Sequence, residues 1–208
     1  MQPGCINSML QKIKLIQGEI KMRIVAGKHR SRILKSLDGD LTRPTSDKVK
    51  EAIFSRIGPY FDEGEMLDLF GGSGNISLEA ISRGMRHSVI VDSSHKAIGI
   101  IKTNVKALKE EASVEILKMD FRSALTKLAQ EQRKFDFVFL DPPYKQQQID
   151  DILTFLVEHQ MLKADANVVC ESLKEDSFQE TYGDLCLVKE ATYGITKISY
   201  YRMEGELL

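Results

Sequence analysis

The sequence lacks the features of secreted and membrane proteins. No apolar run approaches the roughly 18 to 20 residues that a membrane-spanning helix needs. Residues 1–21 contain neither a continuous apolar core nor a small-residue cleavage site, so we expect no secretory signal in them. The cysteines are odd in number and far apart, which predicts neither a disulfide framework nor a zinc site: Cys5, Cys170 and Cys186. We therefore expect a cytoplasmic protein that needs no metal.

The sequence also lacks a large net charge, because its formal charge at pH 7 is only −1. The charges are unevenly spread, however. Residues 21–50 carry nine Lys or Arg side chains against three Asp, so this segment is basic and the remainder is acidic. Such a contrast favours a nucleic-acid contact, and an ordinary solvated face is the alternative.

The basic segment is predicted to contain a hairpin and a helix. "MRIVAGKHRSRIL" has two short strand-like runs around Gly27 and Lys28, which predicts a projecting hairpin with basic residues at its tip. "TRPTSDKVKEAIFSRI" follows, with Ser46 as the N-cap of a helix. Its apolar residues share one helical face: Val49, Ile53 and Ile57.

From Met66 onward, strand-like and helix-like segments alternate. Repeated βα units of this kind predict an α/β fold, with a mostly parallel sheet covered by helices on both faces. The last segment, "LCLVKEATYGITKISYYRM", has two strand-like runs around a turn with Tyr193 and Gly194 and predicts an antiparallel hairpin at the sheet edge. A chain of 208 residues suits one such domain with a small appendage.

Acidic residues follow four successive strands of the predicted sheet: Asp68, Asp92, Asp120 and Asp141. A glycine turn, "FGGSG", lies between the first strand and its helix and lets the backbone approach a ligand. Asp92 comes 24 residues after Asp68, near the roughly 20 residues expected for a carboxylate that binds a ribose. Because parallel strands end at one edge of a sheet, these acids predict a ligand site there. The alternative is four unrelated helix caps.

The glycine turn favours a cationic ligand over a dinucleotide. The third glycine of a dinucleotide-binding GxGxxG turn is missing after Gly74. Asp68 stands just ahead of the turn, where it would repel a pyrophosphate. The amino-acid end of S-adenosylmethionine carries an ammonium group, so the pattern indicates methyl transfer rather than hydride transfer.

The stretch "FVFLDPPYKQ" places an acid and two prolines directly after an apolar segment. The unbroken run of β-formers at residues 137–140 is typical of a strand that is buried on both faces. Pro142 and Pro143 lack an amide hydrogen and have a restricted φ. They therefore predict a stiff turn that holds Asp141 and the Tyr144 ring in place.

These segments resemble a known family. "DLFGGSG" looks like the cofactor loop of class I S-adenosylmethionine methyltransferases, and "DPPY" looks like the signature of members that methylate exocyclic amines of bases. Together with "MRIVAGKHRSR", "TRPTSDKVKEAIF" and "YGITKISYYR", the order of motifs over residues 22–202 is similar to that of the RsmD-type 16S rRNA guanine N2-methyltransferases. Relative to that family, Met22 lies at the usual start and Ser31 stands where glycine is common.

The resemblance implies a Rossmann-like class I methyltransferase domain at residues 62–208 and a basic hairpin and helix extension at 22–61. Residues 1–21 lie outside the resemblance and lack an apolar periodicity that the domain could bury, so we expect this leader to be dispensable. The resemblance implies S-adenosyl-L-methionine as the cofactor. The residues that would hold its methionine part are those of the glycine turn and its flank: Asp68, Phe70, Gly72, Ser73 and Gly74. Asp92 would bind the ribose hydroxyls, and Asp120 the adenine amine.

The resemblance also implies a substrate, namely one guanine of 16S rRNA in a partly or fully assembled small ribosomal subunit. We expect the enzyme to be a monomer. The catalytic residues would be those of the "DPPY" motif: Asp141, Pro142, Pro143 and Tyr144. The Asp141 carboxylate and the Pro142 carbonyl would accept the hydrogens of the guanine N2 amine, and the Tyr144 ring would stack on the base. The rRNA phosphates would be contacted by Arg23, Lys28, His29, Arg30, Arg32 and Arg43.

Two other interpretations stay open at the level of sequence. "DPPY" alone also fits a DNA adenine methyltransferase or another amino-group methyltransferase, although 208 residues leave no room for a separate DNA-recognition domain. A non-catalytic RNA-binding assembly factor would keep the fold for its shape. Such a protein, however, has no use for an intact amine-binding motif.

Overall fold

A computed structural model describes residues 22–37, 47–143 and 146–205 of the chain. The leader at 1–21, Arg43, Ser46 and Tyr144 lie outside the described residues, so what the sequence predicts for them stays a prediction. Within the described ranges, no helix combines the length and the apolar character needed to cross a membrane.

Strands and helices alternate along the described chain as the sequence predicts. The helices are α1 (Asp47–Ile57), α2 (Asn75–Ser82), α3 (His95–Leu108), α4 (Phe121–Gln130) and α5 (Gln146–Glu158). The strands are β1 (Glu65–Asp68), β2 (His87–Asp92), β3 (Val114–Lys118), β4 (Phe135–Leu140), β5 (Leu162–Leu173), β6 (Thr181–Tyr182), β7 (Leu185–Tyr193) and β8 (Thr196–Met203). The short β6 was not predicted.

The described strands form one sheet in the order β3-β2-β1-β4-β5-β8-β7-β6. Strands β1 to β5 pair in parallel, and β8 joins β5 in antiparallel register. The predicted C-terminal hairpin is confirmed, because β7 and β8 pair across a turn in which Gly194 has a φ of 68°. The strand order reverses between β1 and β4, and the crevice at the carboxyl ends of these two strands is where open α/β sheets bind ligands.

Helices cover both faces of the sheet, which explains the apolar character of its central strands. One core layer lies under α1, α2 and α3 and contains Met66 and Phe137. The opposite layer lies under α4 and α5 and contains Leu67 and Val138. Successive residues of β1 and β4 therefore face different layers, and both faces must be apolar.

The basic hairpin differs from its prediction. The two predicted strands reduce to a single antiparallel bridge between Arg23 and Ile33, because a turn with positive φ at Gly27 and Ser31 occupies most of the segment. The element does not project either. A Cβ at Gly27 would lie 1.8 Å from the Ser82 carbonyl oxygen, so the turn lies directly on the end of α2. The φ of 68° at Ser31 is the physical reason why glycine suits this position.

Candidate active site

The glycine turn joins β1 to α2 and presents bare backbone. A Cβ at Gly71 would lie 2.3 Å from the Ile90 side chain, so no larger residue fits there without rearrangement. Gly72 and Gly74 have positive φ values of 55° and 77°, which glycine adopts without strain. Gly74 is the N-cap of α2 and makes no side-chain hydrogen bond to it. The first amides of α2 therefore lack a side-chain cap and are suited to an anionic group.

Asp68 ends β1 in a buried position next to this turn. Only 2% of its surface is exposed, and the Ser77 hydroxyl donates to its Oδ2 at 2.9 Å. Its Oδ1 has no hydrogen-bond partner among the residues that the structure describes. Burial raises the pKa of Asp68 to about 7, and the hydrogen bond from Ser77 offsets part of the shift. A buried carboxylate with an unused oxygen is suited to a cationic partner.

Asp92 and Asp120 follow the outer strands β2 and β3. Asp92 accepts the Gly72 amide at 2.9 Å and the Ser94 amide at 2.8 Å, and it retains lone pairs for a hydroxyl donor. Asp120 is the N-cap of α4 and accepts the Ser123 hydroxyl at 2.5 Å, a bond that is the main cause of its lowered pKa. The helix-cap alternative therefore applies to Asp120, although its carboxylate stays exposed at the same edge of the sheet.

Asp141 follows β4 at this edge and lies close to Asp68. The register pairs Asp68 with Phe139, so Asp141 is two residues further along the same face of the sheet. Water reaches Asp141, yet protein atoms surround much of it. This desolvation, with the nearby carboxylates of Glu171 and Asp68, raises the pKa of Asp141. Pro142 is half-buried and Pro143 is exposed.

Two residues at this edge were missed by sequence reasoning. Glu171 lies on β5, the neighbour of β4, and its carboxylate acts on that of Asp141. Phe121 begins α4, and its ring centroid lies 5.4 Å from that of Phe70. An aromatic residue directly after a strand-end acid was a usable signal for Phe121. No local sequence pattern indicated Glu171, because the role of an acid within a strand depends on which residue the neighbouring strand places beside it.

A buried ion network joins the hairpin and α1 to the helix that follows the glycine turn. Glu79 on α2 accepts two hairpin amides and pairs with Lys50 Nζ at 3.0 Å and Arg83 Nε at 2.8 Å. Lys50 Nζ also donates to Asn75 Oδ1 at 2.8 Å, at the first residue of α2. The network thus attaches the hairpin to the element that positions the glycine turn.

Most of the side chains predicted to bind RNA already bind other parts of the protein. Glu110 pairs with Lys28 Nζ at 2.7 Å and with His29 Nε2 at 2.5 Å. Arg30 is exposed, and its side chain has no ion pair within the described residues. Arg23 pairs with Asp47, and Arg32 donates to the Ala107 carbonyl. Arg43, the last residue of the predicted set, lies outside the described residues.

The hairpin tip lies at the opposite end of the sheet from Asp141. Lys28 and Arg30 line a groove with Tyr60 and Arg86, two residues that precede β1 and β2. Strand β4 spans the sheet from this end to Asp141, which is about 20 Å at about 3.3 Å per residue. A base that reaches Asp141 therefore cannot contact the hairpin tip as well.

Comparison with solved structures shows the class to which this fold belongs. A conserved hypothetical protein of Streptococcus pyogenes is 40% identical, with a TM-score of 0.71 and coverage of 75% of this chain and 96% of that chain. An RNA methyltransferase from Salinibacter ruber, solved with S-adenosyl-L-homocysteine, is 16% identical, with a TM-score of 0.58 and coverage of 80% and 97%, and it shares the fold alone. The predicted class I methyltransferase fold is confirmed.

Comparison of sequences shows the family. The model of the family described as "Conserved hypothetical protein 95" matches residues 22–202, so the chain belongs to this family, that of the RsmD-type methyltransferases. The YlbH protein of Bacillus subtilis is 44% identical over 184 residues, with 88% of this chain and 100% of the relative covered. The ribosomal RNA small subunit methyltransferase D of Haemophilus influenzae is 33% identical over 195 residues, with 93% and 100% covered.

Proposed function

We propose that the protein transfers the methyl group of S-adenosyl-L-methionine to the exocyclic N2 amine of one guanine in 16S rRNA. The observation that carries the proposal is the position of Asp141 near Asp68, at the carboxyl ends of β4 and β1. Oδ1 of Asp68 has no hydrogen-bond partner among the described residues. Family membership and the name of the Haemophilus influenzae relative support an rRNA substrate.

The site fits both charges of the amino-acid end of the cofactor. Asp68 Oδ1 would accept a hydrogen bond from the ammonium group, which removes the cost of leaving that buried oxygen unpaired. The uncapped amides at the start of α2 would bind the carboxylate. Asp92 would accept from the ribose hydroxyls and Asp120 from the adenine amine, beside the Phe70 and Phe121 rings. The bound cofactor supplies a methyl group on a sulfonium.

Asp141 and Pro142 would orient the guanine amine. Its lone pair is delocalised into the ring, so the amine is a weak nucleophile until its two hydrogens are held. The Asp141 carboxylate and the Pro142 carbonyl each accept one of them, which turns the lone pair into line with the methyl group. Burial and the neighbouring carboxylates raise the pKa of Asp141 in the free protein. The sulfonium charge of the bound cofactor would lower this pKa again, so the carboxylate would be ionised when it accepts. Once N2 carries the methyl group, its extra proton is acidic, so the Asp141 carboxylate or solvent can take it and a strong base is not required.

The rest of the chain would provide the RNA contact. We assign this role to residues 22–61, the catalytic role to residues 62–208, and no essential role to residues 1–21. Pro143 and Tyr144 would complete the binding site for the base, with Tyr144 stacked on it. The enzyme would act as a monomer, in the cytoplasm, on a partly or fully assembled small subunit.

Methyl transfer from labelled S-adenosyl-L-methionine tests the proposal. The three substrates are partly assembled small ribosomal subunits, naked 16S rRNA and DNA. We expect label in the subunits or the rRNA, recovered as N2-methylguanine after complete digestion. Label in adenine, label in DNA alone, or binding of subunits without any transfer would contradict the proposal and favour one of the alternative functions.

A further inference from the structure

Glu171 occupies a defined position beside the catalytic motif. Strands β4 and β5 pair in parallel, with Leu140 opposite Cys170. Asp141 and Glu171 are the next residues on each strand, and neighbouring parallel strands lie about 4.8 Å apart. Phe139 and Val169, two residues earlier, belong to the same core layer, so Asp141 and Glu171 also share a face of the sheet.

Glu171 belongs to a group of neighbouring carboxylates. Its carboxylate is half-buried and acts on Asp141, and Asp68 adds a third negative charge. Asp68 also keeps its Oδ1 without a hydrogen-bond partner among the described residues. A buried carboxylate oxygen without a partner, beside two further carboxylates, indicates that a hydrogen-bond donor arrives with a ligand.

The Watson–Crick edge of guanine supplies those donors in adjacent positions. It carries the N2 amine and, next to it, the N1–H group, whereas adenine has a lone pair at N1. A carboxylate only accepts hydrogen bonds, so it attracts an N1–H group and repels an N1 lone pair. One acid can therefore hold the amine while its neighbour reads N1.

We propose that the Glu171 carboxylate accepts the N1–H of the target guanine and selects guanine over bases whose N1 is an acceptor. This inference rests on the proposed function, because it assumes that the methylated amine is N2 of guanine. Asp141 then positions the reacting nitrogen, and Glu171 determines which base brings that nitrogen to the site.

The base analogue 2-aminopurine tests this role directly, because it keeps the N2 amine and has a lone pair at N1. Substrate subunits are reconstituted with guanine or 2-aminopurine at the methylated position, and kcat/KM is measured for wild type, Glu171→Gln and Glu171→Asp. Wild type should prefer guanine by at least about 30-fold, the scale of losing a hydrogen bond to a charged group. The Gln side chain accepts from guanine and donates to 2-aminopurine, so the preference should fall at least about tenfold.

Two control variants separate the possible failures. Glu175→Gln, an exposed acid after β5, should keep the wild-type preference. Glu171→Asp should keep a preference for guanine at a reduced rate, which a purely structural role does not explain. An unchanged preference in Glu171→Gln, or a wild-type ratio near one, overturns the inference while the proposed function stands. Wild type that methylates no guanine overturns both.

Discussion

At the residue scale, the candidate active site brings several carboxylates together in an environment that disfavours their ionised form. Asp68 is buried beside an uncapped helix start, and Asp141 lies between Asp68 and Glu171. Desolvation is the main cause that raises the pKa of each residue. For Asp141, the neighbouring negative charges are the second cause. A cationic ligand lowers both pKa values again. Binding of such a ligand should therefore stabilise the folded protein by relieving this electrostatic cost, in addition to the direct contacts that the ligand makes.

The first prediction concerns the pH dependence of stability. The pKa of Asp68 rises from 3.8 to about 7 on folding, so the unfolded chain loses its proton first as pH increases. The free protein therefore loses stability between about pH 4 and pH 7. Asp68→Asn should raise the free energy of unfolding at pH 8 by on the order of 2–4 kcal/mol and change it little at pH 4. Urea unfolding at both pH values measures this, and an equal effect at each would contradict it.

The second prediction separates chemistry from cofactor binding. Asp141→Ala removes one acceptor from the amine and leaves the glycine turn and Asp92 intact. The single-turnover rate of methyl transfer should fall at least about 100-fold, while cofactor affinity by calorimetry should change less than about tenfold. Asp151→Ala, an exposed acid on α5, is the matched control and should behave as wild type. Wild-type transfer by Asp141→Ala would remove the acid from the mechanism.

At the element scale, the docking of the hairpin depends on bare backbone and on buried charge. The turn at Gly27 lies against the last residue of α2, and the Lys28 amide donates to the Ser82 carbonyl at 2.8 Å. Glu79 and Lys50, both fully buried, hold the preceding residues of the hairpin to α1 and α2. Loss of either residue would leave the other as an unpaired buried charge, which is strongly unfavourable. The hairpin and α2 should therefore unfold together.

The third prediction compares two glycines with similar backbone angles. Gly27 and Gly194 have φ values of 82° and 68°, so alanine is strained at both. Only at Gly27 would the new Cβ overlap another residue, since nothing lies within 4 Å of it at Gly194. Gly27→Ala should cost roughly 2–4 kcal/mol and Gly194→Ala about 1 kcal/mol in the free energy of unfolding. Equal costs by urea unfolding would show that the turn does not lie against α2.

At the scale of the whole molecule, the proposed catalytic site and the hairpin tip lie at opposite ends of the sheet. A phosphate contact at Arg30 and a base at Asp141 are about 20 Å apart. A substrate that uses both must extend well beyond the loop that carries the guanine, which favours folded rRNA or a ribosomal subunit over a short oligonucleotide. A solvated basic face is the alternative, since Lys28 and His29 are already paired with Glu110.

The fourth prediction tests contact at this distant end. Arg30→Ala should weaken binding of the small subunit and lower the slope of log affinity against log salt by about one counterion unit, without changing single-turnover transfer at saturating substrate. Lys189→Ala, at an exposed position on β7 at the other side of the sheet, removes the same charge and should leave both the affinity and the salt slope unchanged. If Arg30→Ala binds the subunit with wild-type affinity and an unchanged salt slope, the hairpin tip is an ordinary solvated surface and does not contact RNA.

The sequence alone determined the elements and the strand-end acids. Hydrophobic periodicity, glycine turns and prolines act over a few residues, so the βα order, the C-terminal hairpin, the glycine turn and the positions of Asp68 and Asp141 could be predicted. Only the tertiary structure decided where the hairpin docks, that its tip faces away from Asp141, and that Glu171 lies beside Asp141. It also decided that Oδ1 of Asp68 has no hydrogen-bond partner among the described residues. These features depend on strand register and on the exclusion of water between residues distant in the chain, and no local pattern encodes either.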